Sequence, residues 1–237
     1  MTTKGVLFDF SGTLFRIESV GSWLRAVFRE QGTETDEAGF DRYVAALTEA
    51  GALPGGPSPV RVPAALAEAY ASRDVSAELH RTAYTGLARE VELPGEGTYD
   101  ALYARHMSPD AWRPYPDAAE VLRGLRANGV AVGVVSNIGW DLRPVFRAHG
   151  LDEFVDAYVL SFEHGAQKPD ARLFRTACER LGLRPEEVVM VGDDRHADGG
   201  AAALGCGVRF VDHLPVTERP DALRRLELVA SGPGSAG

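Results

Sequence analysis

Asp117-Ala-Ala-Glu-Val-Leu-Arg-Gly-Leu-Arg-Ala-Asn128, followed by Gly129 and then Val130-Ala-Val-Gly-Val-Val135, is the stretch from which the fold can be read. Its first part carries apolar residues at helical spacing, and the glycine suits a left-handed helix end. The apolar run that follows has the length of a strand buried on both faces, as in a parallel sheet. The same order recurs downstream. A helix at 142–149, Gly150 and a strand at 156–160 are followed by a helix at 171–181, Gly182 and a strand at 188–191. A last helix, at about 196–204, leads to a strand at 207–211. Near the start, Gly5-Val-Leu-Phe-Asp9 reads as another buried strand, ending in the tight loop Phe10-Ser-Gly-Thr13. Helices alternating with apolar strands imply an α/β fold, a doubly wound Rossmann-like core with its parallel sheet covered on both faces.

Between the first strand and the rest the pattern changes. Segments 23–31, 39–50, 63–73, 77–90 and 99–106 all show helical periodicity, separated by loops rich in proline and glycine at 53–59 and 93–97. This predicts an all-helical cap domain at 17–112, inserted into a core made of residues 1–16 and 113–230, with 231–237 as a disordered tail. Net charge is −9, with acids spread along the chain, which argues against a nucleic-acid backbone as partner. Cys178 and Cys206 lack metal-ligand spacing and read as small buried residues. Residues 1–4 run directly into the first strand without a leader pattern, and no apolar run has the length of a membrane span. The expectation is a cytoplasmic protein with no membrane partner, as a monomer or a homodimer.

In open parallel sheets, ligands bind beyond the carboxyl ends of the strands. Asp9 follows the first strand there, and Ser136 and Asn137 follow the second. Lys168 stands past the third, and Asp193 and Asp194 follow the fourth, with Asp198 one turn on. The lysine stands out because the chain holds only Lys4 and Lys168 among many arginines. An internal lysine against that background marks a place where a compact ammonium serves and a planar guanidinium does not.

These strand ends resemble the motifs of the haloacid dehalogenase-like superfamily. Gly5-Val-Leu-Phe-Asp-Phe-Ser-Gly-Thr-Leu14 is similar to its first motif and Val134-Val-Ser-Asn137 to its second. Gln167-Lys-Pro-Asp170 resembles the third, and Val191-Gly-Asp-Asp194 through Asp198-Gly-Gly-Ala201 the fourth. The resemblance implies a hydrolase in which Asp9 attacks phosphorus and forms an aspartyl-phosphate. It implies Mg²⁺ on Asp9, the Ser11 carbonyl, Asp193 and Asp194, with Asp194 direct or through water. Lys168, Thr13, Ser136 and the Asn137 amide would serve the phosphoryl group, and Asp198 would orient Lys168. The implied partner is a small phosphorylated substrate.

One position departs from the pattern. Phosphatases of the superfamily carry a second aspartate two residues after the nucleophile, where this chain has Ser11. Losing a general acid–base costs about 10²–10⁴-fold in rate. Three readings follow: a phosphatase with easy leaving groups or an acid from the cap, where Glu18, Asp36 and Glu37 are candidates; a slow or inactive binder of a phosphorylated ligand; or a dehalogenase, because halide leaves without a proton. Gly192-Asp193-Asp194, which dehalogenases of the superfamily lack, favours a metal and phosphorus chemistry.

Overall fold

The computed structural model describes residues 3–228, so the expected tail at 231–237 lies outside the described residues. The core is a five-stranded parallel sheet in the order β5-β4-β1-β6-β7. Its strands are β1 (Gly5–Phe8), β4 (Ala131–Ser136), β5 (Ala157–Leu160), β6 (Val188–Gly192) and β7 (Gly207–Phe210). β1 is central and completely buried, which accounts for its unbroken apolar run. Its side chains alternate between two cores. Val6 and Phe8 join the larger one with Leu122 and Leu125 of α6 (Ala118–Ala127) and Phe146 of α7 (Arg143–Ala148). Leu7 joins the other with Leu173, Phe174 and Ala177 of α9 (Ala171–Leu181). The short α8 (Ser161–His164) follows β5 directly.

The helical segment comprises α1 (Val20–Gln31), α2 (Glu37–Ala50), α3 (Ala67–Ala71), α4 (Ala77–Arg89) and α5 (Gly97–His106). Two expected helices are corrected. The stretch 63–73 is a 3-10 turn, Ala64–Leu66, followed by the single short α3. Its helix stops because the chain turns at Ser72, where the Arg73 guanidinium donates to the Tyr70 carbonyl at 2.8 Å. The last helix, expected from 196, is a 3-10 helix, Asp198–Leu204. There the run of small residues is wound tightly beside Pro169, so closely that a Cβ on Gly200 would come within 2.7 Å of the proline side chain.

A two-stranded antiparallel ribbon absent from the sequence reading joins the two parts. It pairs β2 (Phe15–Ile17) with β3 (Trp112–Pro114), Arg16 opposite Arg113 and Ile17 opposite Trp112. The borders expected at 16/17 and 112/113 fall inside this ribbon. Around it Phe10 packs on Trp112, Phe15 and Phe146 with ring centroids 4.4, 5.2 and 5.9 Å apart, so the hinge strands rest on the loop that follows β1.

The helical segment buries His80 (2 % exposed) and His106 (0 %), stacked with centroids 5.4 Å apart. Burial and Arg73 push His80 down to about 3, and burial and His80 hold His106 well below its ordinary value. Both are therefore neutral when folded, whereas in the unfolded chain each takes up a proton below about pH 6.5. Their contribution is complete above that pH and lost as pH falls, by about 1.4 kcal/mol per unit for each ring. Stability should drop between pH 7 and pH 5, measured by denaturant melts. Because both His106 nitrogens lack a hydrogen-bond partner among the described residues, His106→Phe should keep or raise stability at pH 7 and flatten the profile. An unchanged pH slope in that variant would rule out a neutral buried His106.

Candidate active site

Asp9, immediately after β1, is 8 % exposed, and its backbone N–H is fixed to the Val191 carbonyl at 2.9 Å. The loop then doubles back through Gly12 at φ +86°, where any Cβ would collide with His213 and Asp193. This turn needs glycine for both its backbone angle and its close approach. Lys168, between α8 and α9, reaches Asp9 Oδ1 at 2.7 Å and Asp198 Oδ1 at 2.5 Å. Lysine and Asp198 are 4 % and 0 % exposed, so the charges are almost fully removed from water. Asn137 clasps the Lys168 backbone from both sides, accepting from its N–H at 2.6 Å and donating to its carbonyl at 3.1 Å. Ser136, at the end of β4, is buried and lines the cavity in front of Asp9.

After β6, Asp193 accepts from the Thr13 hydroxyl at 3.2 Å and pairs with His213 Nδ1 at 2.5 Å. Thr13 is fully buried, and its hydroxyl is engaged by Asp193. Asp194 is exposed, and its Oδ1 caps the turn by accepting from His196 N at 2.8 Å and Ala197 N at 3.0 Å. Asp198 Oδ2 accepts from Asp194 N at 3.0 Å, so both Asp198 oxygens are engaged.

Burial pushes the Asp9 carboxyl above its ordinary range; Lys168, bonded to it at 2.7 Å, opposes and favours the ionised form, while Asp198 and Asp193 add to the push. Burial pulls the Lys168 ammonium down, but Asp198 and Asp9 outweigh it and hold it above its ordinary value. Burial would also raise Asp193, yet the His213 bond, Lys168 and Thr13 more than offset it. Asp9, Asp193 and Asp198 offer oxygens within 4.8 Å of one another. With one ammonium among these carboxylates the site carries excess negative charge, and its hard oxygen donors fit a small cation such as Mg²⁺. Both oxygens of Asp198 and both of Asp193 are already bonded, so among the three Asp9 is the carboxylate with a free oxygen, and a cation on Asp193 would share an oxygen with Thr13 or His213.

In front of this cluster lies a cavity of about 490 Å³. The sheet side supplies Asp9, Ser11, Ser136, Lys168 and Asp193, and the helical segment supplies Tyr70, Arg73, Asp74, His80 and Tyr84. The expected acids from the helical segment do not reach it. Glu18 pairs with Arg105 at 2.7 Å, Asp36 caps α2 by accepting from Gly39 N at 2.7 Å, and Glu37 is exposed in the first turn of that helix.

Arg219 escaped the sequence reading, and Arg16, which the sequence offers only as a residue between core and cap, belongs to the site as well. Arg16 donates to the Gly55 carbonyl at 3.0 Å and contacts His213, tying the 51–58 loop to the core. Arg219, 3 % exposed, donates to the carbonyls of Gly12 and Thr13 and braces the loop after Asp9. Arg16 lies in β2 just past the first motif, and Arg219 arrives through a loop far along the chain, which no spacing in the sequence links to the strand ends.

The family profile of haloacid dehalogenase-like hydrolases matches residues 3–205. The chain belongs to this hydrolase family. Among its relatives, a ribulose-1,5-bisphosphate 5-phosphatase of Halopiger xanaduensis is 32 % identical over 234 residues, 95 % of this chain and 90 % of that protein. The (S)-2-haloacid dehalogenase 4A of Burkholderia cepacia is 39 % identical over 112 residues, 46 % of this chain and 47 % of that enzyme, so that match spans under half of its length. A crystal structure of a HAD phosphatase from Thermococcus onnurineus superposes with TM-score 0.56 at 26 % identity, covering 89 % of this chain and 86 % of the other. A dehalogenase crystal structure shares the fold with TM-score 0.68 at 24 % identity, covering 97 % and 98 %.

Removing the ammonium leaves Asp9 and Asp198 buried without their shared counter-charge, a loss of about 3–5 kcal/mol. Lys168→Met should lower stability by that order in urea melts, and Lys168→Met/Asp198→Asn should recover part of it. Strict additivity of the two substitutions would show that the two side chains do not interact.

Proposed function

We propose that the protein is a Mg²⁺-dependent phosphatase acting on a small phosphorylated metabolite through an aspartyl-phosphate at Asp9. The observation that carries this reading is the Asp193 carboxylate, held by Thr13 and His213 with an oxygen within 4.8 Å of the nucleophile Asp9, which also pairs with Lys168. Carbon–halogen cleavage needs no second carboxylate there, whereas phosphoryl transfer gains from positive charge on both sides of the group in flight.

In this reading the free oxygen of Asp9 forms the new bond to phosphorus while its other oxygen stays on Lys168. Lys168 and Ser136 hold the phosphoryl oxygens, Asn137 keeps Lys168 in register through its backbone, and Asp198 fixes the direction of the ammonium. Asp9, Asp193 and the Ser11 carbonyl would hold Mg²⁺, which when bound neutralises charge on the phosphoryl oxygens. The cavity of about 490 Å³ has the size of a site for a small molecule.

Ser11 favours a second reading, cleavage of a carbon–halogen bond, because that reaction requires no proton for the leaving group. A single experiment separates the two. Phosphate release from a panel of sugar, acyl and amino-acid phosphates is measured with and without Mg²⁺, beside halide release from 2-haloacids. We expect Mg²⁺-dependent phosphate release that disappears in Asp9→Asn, with Asp193→Asn needing at least about tenfold more Mg²⁺. Halide release independent of Mg²⁺, with no phosphate from any ester, would replace the phosphatase reading by the dehalogenase one.

A further inference from the structure

With serine at position 11, the phosphatase reading lacks a proton donor for the leaving group, and the cavity shows where one can stand. Nucleophile and leaving oxygen lie roughly in line through phosphorus. The leaving oxygen therefore points away from Asp9, out of the sheet edge and toward the helical segment. The cavity's carboxylates are Asp9, Asp193, Asp194 and Asp198 on the sheet side, and Asp74 on the helical side.

Asp74 sits between α3 and α4 and is 7 % exposed. Arg73 Nε at 3.7 Å and His80 Nε2 at 4.0 Å both stand beyond hydrogen-bond reach of its carboxylate. Its backbone, by contrast, is fastened to the core. The Ser161 hydroxyl, which accepts from Ile138 N at 2.8 Å, lies 2.6 Å from the Asp74 carbonyl. Gln167, next to Lys168, donates to the Ala71 carbonyl at 3.0 Å. The 71–74 turn is thus docked on the 161–167 segment that leads into Lys168, and Ser161 ties that segment to Ile138, two residues past Ser136. A side chain with a rigid base, paired with Arg73 only at ion-pair distance and taking no hydrogen bond from it, is placed for work on a ligand.

We propose that Asp74 is the general acid–base of this enzyme, replacing the aspartate that the chain lacks at position 11; the proposal rests on the phosphatase reading. In the first step the Asp74 carboxyl gives its proton to the ester oxygen as the bond from phosphorus to that oxygen breaks. An Asp9 oxygen bonds to phosphorus, and the alcohol departs. In the second step water attacks the aspartyl-phosphate, passes a proton to the Asp74 carboxylate, and the bond from phosphorus to Asp9 breaks to free phosphate. Asp74 ends protonated and Asp9 ionised, as they began.

The surroundings suit that cycle. Burial holds the Asp74 carboxyl above its ordinary range, with Arg73 and then Lys168 pulling it back. The other titratable groups that face it are His80 and Tyr84 from α4 and Tyr103 from α5. His80 is neutral, its Nδ1 paired with the Tyr103 hydroxyl at 2.8 Å, so it offers no competing acid.

The test compares wild type, Asp74→Asn and Asp74→Glu on the best alkyl phosphate of the panel and on 4-nitrophenyl phosphate, with Mg²⁺. Thermal melts confirm folding, and Asp74→Asn should change stability little, since it gives up a 3.7 Å pairing with Arg73 but no hydrogen bond, and relieves a buried charge. For the alkyl ester, kcat should fall about 10²–10⁴-fold in Asp74→Asn, with partial return in Asp74→Glu. For the nitrophenyl ester, whose leaving group needs no proton, Asp74→Asn should release a burst of one nitrophenolate per site and then turn over slowly. The high-pH limb of the wild-type kcat profile should vanish in the same variant. Equal losses on both esters with no burst and an unchanged pH profile would assign Asp74 a structural role and overturn the proposal. Full activity in Asp74→Asn would overturn it too, leaving the phosphatase reading intact. Absence of phosphate release by the wild type would overturn both.

Discussion

A single ammonium group, buried between two carboxylates, sets the position of nearly everything at the mouth of the sheet. Lys168 is removed from water and bonded to Asp9 from β1 and to Asp198 from the 3-10 helix after β6. A charge in that position is tolerable only if its partners are present and well aimed. The lysine therefore holds two strand ends in fixed relation, and its own backbone is held by Asn137 from a third. Asp194 completes the set by offering its N–H to the other oxygen of Asp198. Loss of any one of these contacts would leave a buried charge or dipole unanswered, so the cluster behaves as one unit.

The sheet side of this unit was legible in the sequence and the helical side was not. Long apolar strands ended by glycine or a polar residue carry a strong local signal, which is why the helix at Ala171–Leu181 and the residues after each strand were located directly. The ribbon strands are three residues each, and one ends in proline. Such segments are too short for a period of two to register, and their pairing joins positions nearly a hundred residues apart. The alanine-rich stretch at 63–73 has the propensity for a continuous helix, but the docking of Asp74 on Ser161 requires a turn there, and tertiary contact prevailed over propensity. Asp74, His213 and Arg219 reach the site from loops, where residue type alone does not distinguish a functional side chain from a solvated one.

Serine at position 11 is matched by its surroundings. Its hydroxyl is buried with no hydrogen-bond partner, and Gly55, at φ +73°, lies so close that a Cβ there would fall 2.7 Å from that oxygen and 3.1 Å from Trp112. The Arg16 bond to the Gly55 carbonyl holds this approach in place. A small side chain at 11 and a residue without a side chain at 55 thus let the 51–58 loop settle on the shoulder of the nucleophile. Space that a longer acidic side chain would occupy is filled by backbone, which leaves the rest of the cavity's lining to supply any protic group.

The ribbon of β2 and β3 has a bearing beyond holding the hinge. Because the chain departs at Ile17 and comes back opposite it at Trp112, the whole intervening stretch begins and ends at one spot. The register of the sheet does not depend on how long that stretch is or on what it contains. Helices there can be lengthened, shortened or exchanged for others while the nucleophile keeps its place, so ligand preference can diverge among descendants of one ancestor without a new framework having to be invented.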